Sequence, residues 1–142
     1  MSVVAYVGIG SNVGHAAGNV RRAIRALGEA GRVRCVSRIR RTEPWGRVAQ
    51  SQFANAAVRV ETLLSPRALL DALQRIERRL GRRSSYRWGP RVVDLDLLLY
   101  DGLRVAEPGL VVPHPRLHER AFVLAPLAEV GAFERGSGFL PR

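Results

Sequence analysis

The order of extended and helical patterns constrains the fold of this chain more than any other feature of its sequence. Residues 3–9 are apolar at nearly every position, which is typical of a strand covered on both faces in the middle of a sheet. Further extended patterns follow at residues 33–42, 53–62 and 92–100. A helical pattern follows the first and the third of these segments. We therefore predict an α+β fold, the ferredoxin-like βαββαβ sandwich, with a mostly antiparallel sheet and its helices on one face.

Two segments carry the spacing of amphipathic helices. The first ends at Gly28 or Gly31, and the second begins with Ser65 as N-cap and Pro66 at the first helical position and ends before Gly81. Apolar residues recur in both at the spacing of one helix face. The predicted buried positions are Val20, Ala23, Ile24 and Leu27 in the first helix and Leu69, Leu70, Leu73, Ile76 and Leu80 in the second.

The length of the chain suits one domain. With 142 residues it can bury a single core, so we predict one domain over residues 1–142, with a poorly ordered or loosely packed tail at residues 131–142. No apolar run approaches the roughly 18 to 20 residues that cross a bilayer, and the first residues lack the basic start of a signal peptide. These features predict a cytoplasmic protein without a membrane partner. No large apolar interface is indicated, which favours a monomer.

The positive charge of the chain comes entirely from arginine. There are 23 basic residues, none of them lysine, against 12 acidic ones, which gives a net charge of +11. Arginine suits phosphate groups because its planar guanidinium donates two parallel hydrogen bonds. Nucleic acids and nucleotide triphosphates both fit such a surface, and compositional bias explains the arginines equally well. Only arginines within a motif therefore count as candidates.

Two aspartates lie on one side of the last predicted strand. Side chains alternate along a strand, so Asp94 and Asp96 share a face with Leu98 and Tyr100, whereas Leu99 points to the helices. The Cα atoms of the two aspartates are about 7 Å apart, which lets their carboxylates converge on one or two hard cations such as Mg²⁺. For an isolated pair, two solvated aspartates are the better interpretation. The apolar neighbours of this pair favour a site.

The strand at residues 53–62 exposes polar groups on the same side. Alternation directs Ala54, Ala56, Val58 and Val60 toward the helices. It leaves Phe53, Asn55, Arg59 and Glu61 on the opposite face. The two strands together place an aromatic ring, an amide and two carboxylates on the side of the sheet that is predicted to be free of helices. We predict the functional site there.

Two other features keep two interpretations, and a third does not match the motif that it resembles. His114 stands between two prolines, and it is either a positioned phosphate-binding imidazole or a surface loop histidine. Gln74 and Glu77 share a helix face, where solvated surface is the simpler interpretation. The glycine run at residues 8–14 does not match a dinucleotide-binding loop, because its third glycine comes one place too late.

Several motifs, taken in order, resemble the family of 6-hydroxymethyl-7,8-dihydropterin pyrophosphokinases. The most specific are RWGPRVVDLDLLLYDG and VPHPRLHERAFVLAPLAEV, supported by AYVGIGSN, RTEPWG, FANAAV and QRIERRLGR. The resemblance runs from about residue 3 to residue 130. It implies a transferase of folate biosynthesis that moves the β,γ-diphosphate of ATP to the hydroxymethyl group of a dihydropterin and releases AMP.

The resemblance also implies roles for individual residues. Asp94 and Asp96 would hold two Mg²⁺ ions that bridge the ATP phosphates, and Arg82 and Arg91 would stabilise charge on the transferred group. The positions that match the family's ATP contacts are Gln74, Glu77, Arg87, Trp88, Leu97, His114 and Arg120. Those that match its pterin site are Phe53 and Phe122 as an aromatic pair, Asn55, and the backbone around Thr42 and Trp45. Whether Arg83 or Arg87 reaches the phosphates is left open.

Two other classes of protein share the predicted fold and charge. Single-stranded RNA binders of this fold place aromatic rings at the centre of the open face. Here two carboxylates stand at that centre, and without a metal ion they would repel phosphate. The second class, a different two-metal enzyme, would have no pterin site. We therefore predict ATP and the dihydropterin as small-molecule substrates and no nucleic acid partner.

Overall fold

A computed structural model describes residues 1–42, 53–81, 92–115, 117 and 121–134. In chain order the elements are β1 (Val3–Ser11), α1 (Ala16–Ala26), β2 (Arg32–Val36), β3 (Arg40–Thr42), β4 (Phe53–Thr62), α2 (Pro66–Gly81), β5 (Asp94–Tyr100), β6 (Val105–Glu107), β7 (Leu110–Val112) and α3 (Ala121–Glu129). A 3-10 turn at Leu27–Glu29 extends α1. No helix within the described ranges has the length and apolar character needed to cross a membrane.

The main sheet has the strand order β2-β4-β1-β5, and every neighbouring pair is antiparallel. The short strand β3 pairs with β4 on the same side as β2. β1 and β2 therefore run parallel with β4 between them, and β4 and β5 run parallel with β1 between them. These are the two split βαβ connections of the predicted ferredoxin-like fold, which is confirmed. β6 and β7 form a separate hairpin.

The larger core lies between the sheet and the pair α1 and α2. Helix α2 begins as its sequence predicts, because the backbone N–H of Ala68 donates to Oγ of Ser65 at 3.2 Å, with Pro66 as the first helical residue. Every residue of the two predicted apolar stripes lies in this core or packs against it. The inward residues predicted for β4 (Ala54, Ala56, Val58 and Val60) are all buried there.

The opposite face of the sheet carries a second core. The prediction that this face is free of helices is therefore wrong. Helix α3 packs against β4 on this face. The cluster beneath it comprises Tyr6, Ala57, Leu98, Leu99, Leu117, Leu127, Val130 and Ala132. The apolar side chains of α3 need a partner surface, and this end of the sheet supplies it. Among the described residues, Asp94 and Asp96 are exposed at the end of the sheet away from this cluster.

Strand β5 contains an extra residue, Leu98, opposite β1. This β-bulge turns Leu99 toward the second core and Tyr100 toward the core of α1 and α2. Strict alternation predicts Leu99 toward α1 and α2 and Tyr100 on the face of Asp94 and Asp96. That prediction is wrong for both residues. On its new face the phenol of Tyr100 donates a hydrogen bond to the backbone oxygen of Leu64 at 2.5 Å, and burial raises the pKa of that phenol.

Helix α3 ends in a Schellman motif. Gly131 has a φ of 82°, its N–H donates to the oxygen of Ala128 at 3.1 Å, and the N–H of Ala132 donates to the oxygen of Leu127 at 3.0 Å. Ala132 is fully buried, and Phe133 packs against the second core. The loose packing predicted for residues 131–142 is therefore wrong for these first residues. Residues 135–142 lie outside the described part of the chain.

The carboxylate of Glu129 joins α3 to Arg38, between β2 and β3, and to Arg40, the first residue of β3. Its Oε1 accepts the backbone N–H of Arg38 at 2.8 Å, and its Oε2 lies 2.7 Å from Nη1 of Arg40. The hydrogen bond from Arg38 is the main cause that holds the pKa of Glu129 below its ordinary value of 4.5, and the guanidinium of Arg40 acts in the same direction. The ionised form of Glu129 is thus favoured by folding.

We expect a Glu129→Gln variant to be less stable than the wild type at neutral pH, and we expect the difference to shrink in acid. A carboxyl group whose pKa is lowered by folding contributes stability above its unfolded pKa and loses that contribution as the pH falls through its folded pKa. The pH range in which this contribution to stability is lost therefore lies below pH 4.5. Urea unfolding at pH 7 and at steps below pH 5 measures the difference. Glu107→Gln is the control, because Glu107 pairs with Arg67 only at the surface; an equal pH dependence in both variants would contradict the assignment.

Candidate active site

Asn55 and the two aspartates lie on one face of three neighbouring strands. Asn55 of β4 pairs with Gly10 of β1, and Gly10 pairs with Asp94 of β5. Gly8, two residues before Gly10 in β1, pairs with Asp96, two residues after Asp94 in β5. Both carboxylates are exposed, and the leucine between them is buried. The alternation predicted for this part of β5 is therefore confirmed, and it brings the amide and the carboxylates to the same open surface.

The central strand carries no side chains between these polar groups. A Cβ atom at Gly10 would lie 3.1 Å from Oδ1 of Asn55, and one at Gly8 would lie 3.1 Å from Cδ1 of Leu98. Gly10 thus leaves bare backbone between Asn55 and Asp94, and Gly8 makes room for the side chain of Leu98; we call these two positions the glycine strip. As part of the run at residues 8–14, these glycines do not match a dinucleotide-binding loop. Their i, i+2 spacing, the same as that of the aspartates, is the signal that identifies them.

Of the two aromatic side chains predicted for the site, the structure describes that of Phe53 but not that of Phe122. Phe53 is half-buried at the start of β4, two residues before Asn55 and on the same face, and it pairs with Thr42 of β3. Phe122 lies in α3, the helix that covers the far end of this face. The side chains of Thr42 and Phe122 lie outside the described part, so the structure describes one ring of the predicted aromatic pair.

Two predicted nucleotide contacts bind the outer edge of β5. In the described part of the sheet, β5 pairs only with β1, so its outward-facing backbone groups need other partners. Oε2 of Glu77 accepts the N–H of Leu95 at 2.7 Å, and the N–H of His114 donates to the oxygen of Leu98 at 2.9 Å. The solvated-surface interpretation is therefore wrong for Glu77. Its carboxylate holds the backbone midway between Asp94 and Asp96.

The remaining predicted positions are distributed as follows. Gln74 is exposed on α2, one turn before Glu77. The side chain of Leu97 is buried in the core of α1 and α2, so a contact from Leu97 to a nucleotide would use its backbone. The other predicted site residues lie outside the described part of the chain: Trp45, Arg82, Arg87, Trp88, Arg91 and Arg120, together with Arg83.

The donor set at Asp94 and Asp96 fits magnesium. Within the described ranges, no three His, Cys, Asp or Glu side chains gather as a metal site would require. Mg²⁺ is usually bound through one or two carboxylates and keeps water or phosphate oxygens as its other ligands. A pair of exposed carboxylates on an open face provides that partial set. It suits a metal ion that arrives with a phosphate-bearing substrate and does not suit a closed protein cage such as a structural zinc site.

The sequence matches the family model of 7,8-dihydro-6-hydroxymethylpterin-pyrophosphokinase over residues 6–132. The chain is 47% identical over 128 residues to the 2-amino-4-hydroxy-6-hydroxymethyldihydropteridine pyrophosphokinase of Methylorubrum extorquens, a match that covers 89% of this chain and 81% of that protein. It is 46% identical over 132 residues to the protein of the same name from Bacillus subtilis, with 92% and 79% covered.

Solved structures share the fold. The wild-type HPPK-DHPS of Plasmodium falciparum with pteroate has a TM-score of 0.69 at 15% identity, covering 91% of this chain and 39% of that one. Its S436F/A437G/A613T triple mutant has a TM-score of 0.73 at 14% identity, with 96% and 41% covered. This chain thus spans about two fifths of the length of these solved chains. The family match and the curated relatives establish that the chain belongs to the 7,8-dihydro-6-hydroxymethylpterin-pyrophosphokinase family.

Proposed function

We propose that this chain transfers diphosphate from ATP to the hydroxymethyl group of 6-hydroxymethyl-7,8-dihydropterin in folate biosynthesis. The hydroxyl oxygen attacks the β-phosphorus of ATP and forms a new O–P bond. The bond from that phosphorus to the oxygen bridging the α and β positions breaks. AMP leaves with the electron pair of the broken bond, and the hydroxyl proton is released. Membership of the family supports this reaction.

The observation that carries the proposal is the row of Asn55, Gly10 and Asp94 across three strands. Neighbouring strands are about 4.8 Å apart, so the row is roughly 10 Å wide. A flat bicyclic ring fits over the bare backbone of such a row. The Asn55 amide both donates and accepts hydrogen bonds, which suits the polar edge of a pterin. The hydroxymethyl end of the ring then points to Asp94.

Asp94 and Asp96 are the proposed ligands of two Mg²⁺ ions. When bound, Mg²⁺ neutralises charge on the phosphate oxygens and orients the triphosphate for in-line attack. Asp94 shares its row with Asn55, and it is therefore the carboxylate proposed to lie nearer the pterin hydroxyl. Arg82 and Arg91 are proposed to stabilise the charge that develops on the transferred group.

The proposed nucleotide side lies beyond the outer edge of β5. Glu77 and His114 both bond to that edge, and Gln74 is exposed one turn from Glu77. The proposed ATP contacts are Gln74, Glu77, Arg87, Trp88, Leu97, His114 and Arg120. On the other side of the glycine strip, Phe53 and Phe122 are proposed to hold the pterin between their rings, with the backbone near Thr42 and Trp45 at its polar edge.

The domain organisation, the oligomeric state and the cellular location of the protein are also proposals. The described elements form one main sheet with helices on both faces and a separate two-stranded hairpin, and the family match spans residues 6–132. We propose that residues 1–142 act as one catalytic domain, as a monomer in the cytoplasm.

The products of a single assay test this function. The protein is incubated with Mg²⁺, ATP and 6-hydroxymethyl-7,8-dihydropterin, and the nucleotides are separated by chromatography. We expect AMP and the dihydropterin diphosphate in equal amounts, and no AMP without the pterin or after addition of a metal chelator. ADP as the nucleotide product would show transfer of a single phosphate and contradict the proposal, as would absence of turnover.

A further inference from the structure

A buried hydroxyl group contacts the backbone that leads into the strand of the aspartates. Ser11, the last residue of β1, is 5% exposed, and its hydroxyl donates to the backbone oxygen of Val92 at 2.6 Å. Val92 stands two residues before Asp94. The two bonded residues are 81 positions apart in the chain. This contact therefore joins the end of the first strand to the entry of the fifth.

A second buried side chain orients that hydroxyl. Asn19 of α1 is 7% exposed, and its Nδ2 donates to Oγ of Ser11 at 3.2 Å and to the oxygen of Val13 at 2.8 Å. Its Oδ1 accepts from the guanidinium of Arg22. With Nδ2 donating to it, the Ser11 oxygen acts as an acceptor from Asn19 and directs its own proton to Val92. The chain of bonds thus runs from α1 through β1 to β5.

The ladder between β1 and β5 does not hold this part of the backbone. Among the described residues its last pair is Gly10 with Asp94, so residues before Asp94 are beyond the ladder. The bond from Ser11 restrains the chain there by a side chain instead. On the proposed function, this backbone leads directly to a metal ligand, the Asp94 carboxylate. A shift of Val92 would move that carboxylate.

We propose that Ser11 and Asn19 are positioning residues for the magnesium site: their hydrogen bonds fix the entry of β5 and hence the direction of the Asp94 carboxylate. The inference rests on the proposed function, because it gives these residues a role only if Asp94 binds a metal ion. Groups that orient metal ligands typically contribute about 10–100-fold to metal affinity or activity when they are removed. A hydroxyl group that serves only the fold would change stability alone.

The test compares Ser11→Ala with Thr62→Val. Thr62 is 2% exposed and its hydroxyl also donates to a backbone oxygen, that of Ala30 at 2.7 Å, but it pairs with Val3 at the far end of β1. Mg²⁺ affinity is measured by calorimetry in the presence of a nonhydrolysable ATP analogue, and thermal unfolding is recorded for each protein. Asn19→Ala and the hydroxyl-retaining Ser11→Thr complete the set.

We expect Ser11→Ala to bind Mg²⁺ about tenfold more weakly or worse, while Thr62→Val loses thermal stability and keeps wild-type affinity. Asn19→Ala should weaken binding in the same direction, and folded Ser11→Thr should recover it. If folded Ser11→Ala kept the wild-type affinity for Mg²⁺, this inference would be overturned and the proposed function would stand. A wild-type protein that binds no Mg²⁺ with the analogue would overturn the proposed function and this inference with it.

Discussion

The Asp96→Asn variant is expected to lose activity by at least about 10²–10³-fold, the size of effect seen when one charge-stabilising group is removed from an active site. Asparagine keeps the shape of the side chain but removes its negative charge, so it binds Mg²⁺ poorly. Asp96 is exposed, so the substitution does not disturb the buried core. Initial rates across a range of Mg²⁺ concentrations measure the loss, and thermal unfolding should be close to that of the wild type.

Asp71→Asn is the matched control for this variant, because Asp71 is an exposed carboxylate on α2. It should keep full activity. If Asp96→Asn kept the wild-type rate and the wild-type requirement for Mg²⁺, the aspartate would have no part in holding the metal. Activity that returned to the wild-type level at high Mg²⁺ would instead confirm that the defect lies in metal affinity.

The Gly31→Ala variant is expected to lose about 3 kcal/mol of stability, at the upper end of what overpacking costs. Gly31 lies just before β2, where a Cβ atom would stand 2.3 Å from the backbone oxygen of Glu61 and 2.8 Å from Cγ1 of Val60. The first of these neighbours is backbone of a central strand, which cannot move aside without breaking its ladder. Urea unfolding at 25 °C measures the change.

Gly28→Ala supplies the control for Gly31. It lies three residues earlier in the 3-10 turn, and a Cβ atom there would meet nothing within 4 Å. Its stability should stay within about 0.5 kcal/mol of the wild type, as is usual for surface positions. Equal losses of stability at the two glycines would mean that the contact with Glu61 does not determine the result.

The local parts of the fold and site follow from the sequence because each depends on a short window. The cap at Ser65, the stripes of α1 and α2, and the shared face of Asp94 and Asp96 need only periodicity and the chemistry of a few neighbours. Asn55 reaches the same face by the same rule. What these windows cannot supply is the pairing of strands, which depends on residues far apart in the chain.

Three features cannot be predicted from sequence patterns, each for a physical reason. The bulge at Leu98 depends on the register between β5 and β1 and reverses the faces of the residues after it. Helix α3 has no amphipathic pattern in the sequence, because Pro126 lies inside it and its apolar residues follow no single stripe. The bond from Ser11 to Val92 joins residues 81 positions apart and leaves no periodic trace.

The glycine strip has a consequence for inhibition and resistance. Under the proposed function, the surface beneath the pterin ring is backbone at Gly10, with Leu98 packed over Gly8, and a substitution at either glycine can only add atoms to it. A change that blocks a flat inhibitor at this strip would equally block the substrate ring, because both would occupy the same volume. Selection for resistance would therefore act on the residues around the strip rather than on the strip itself.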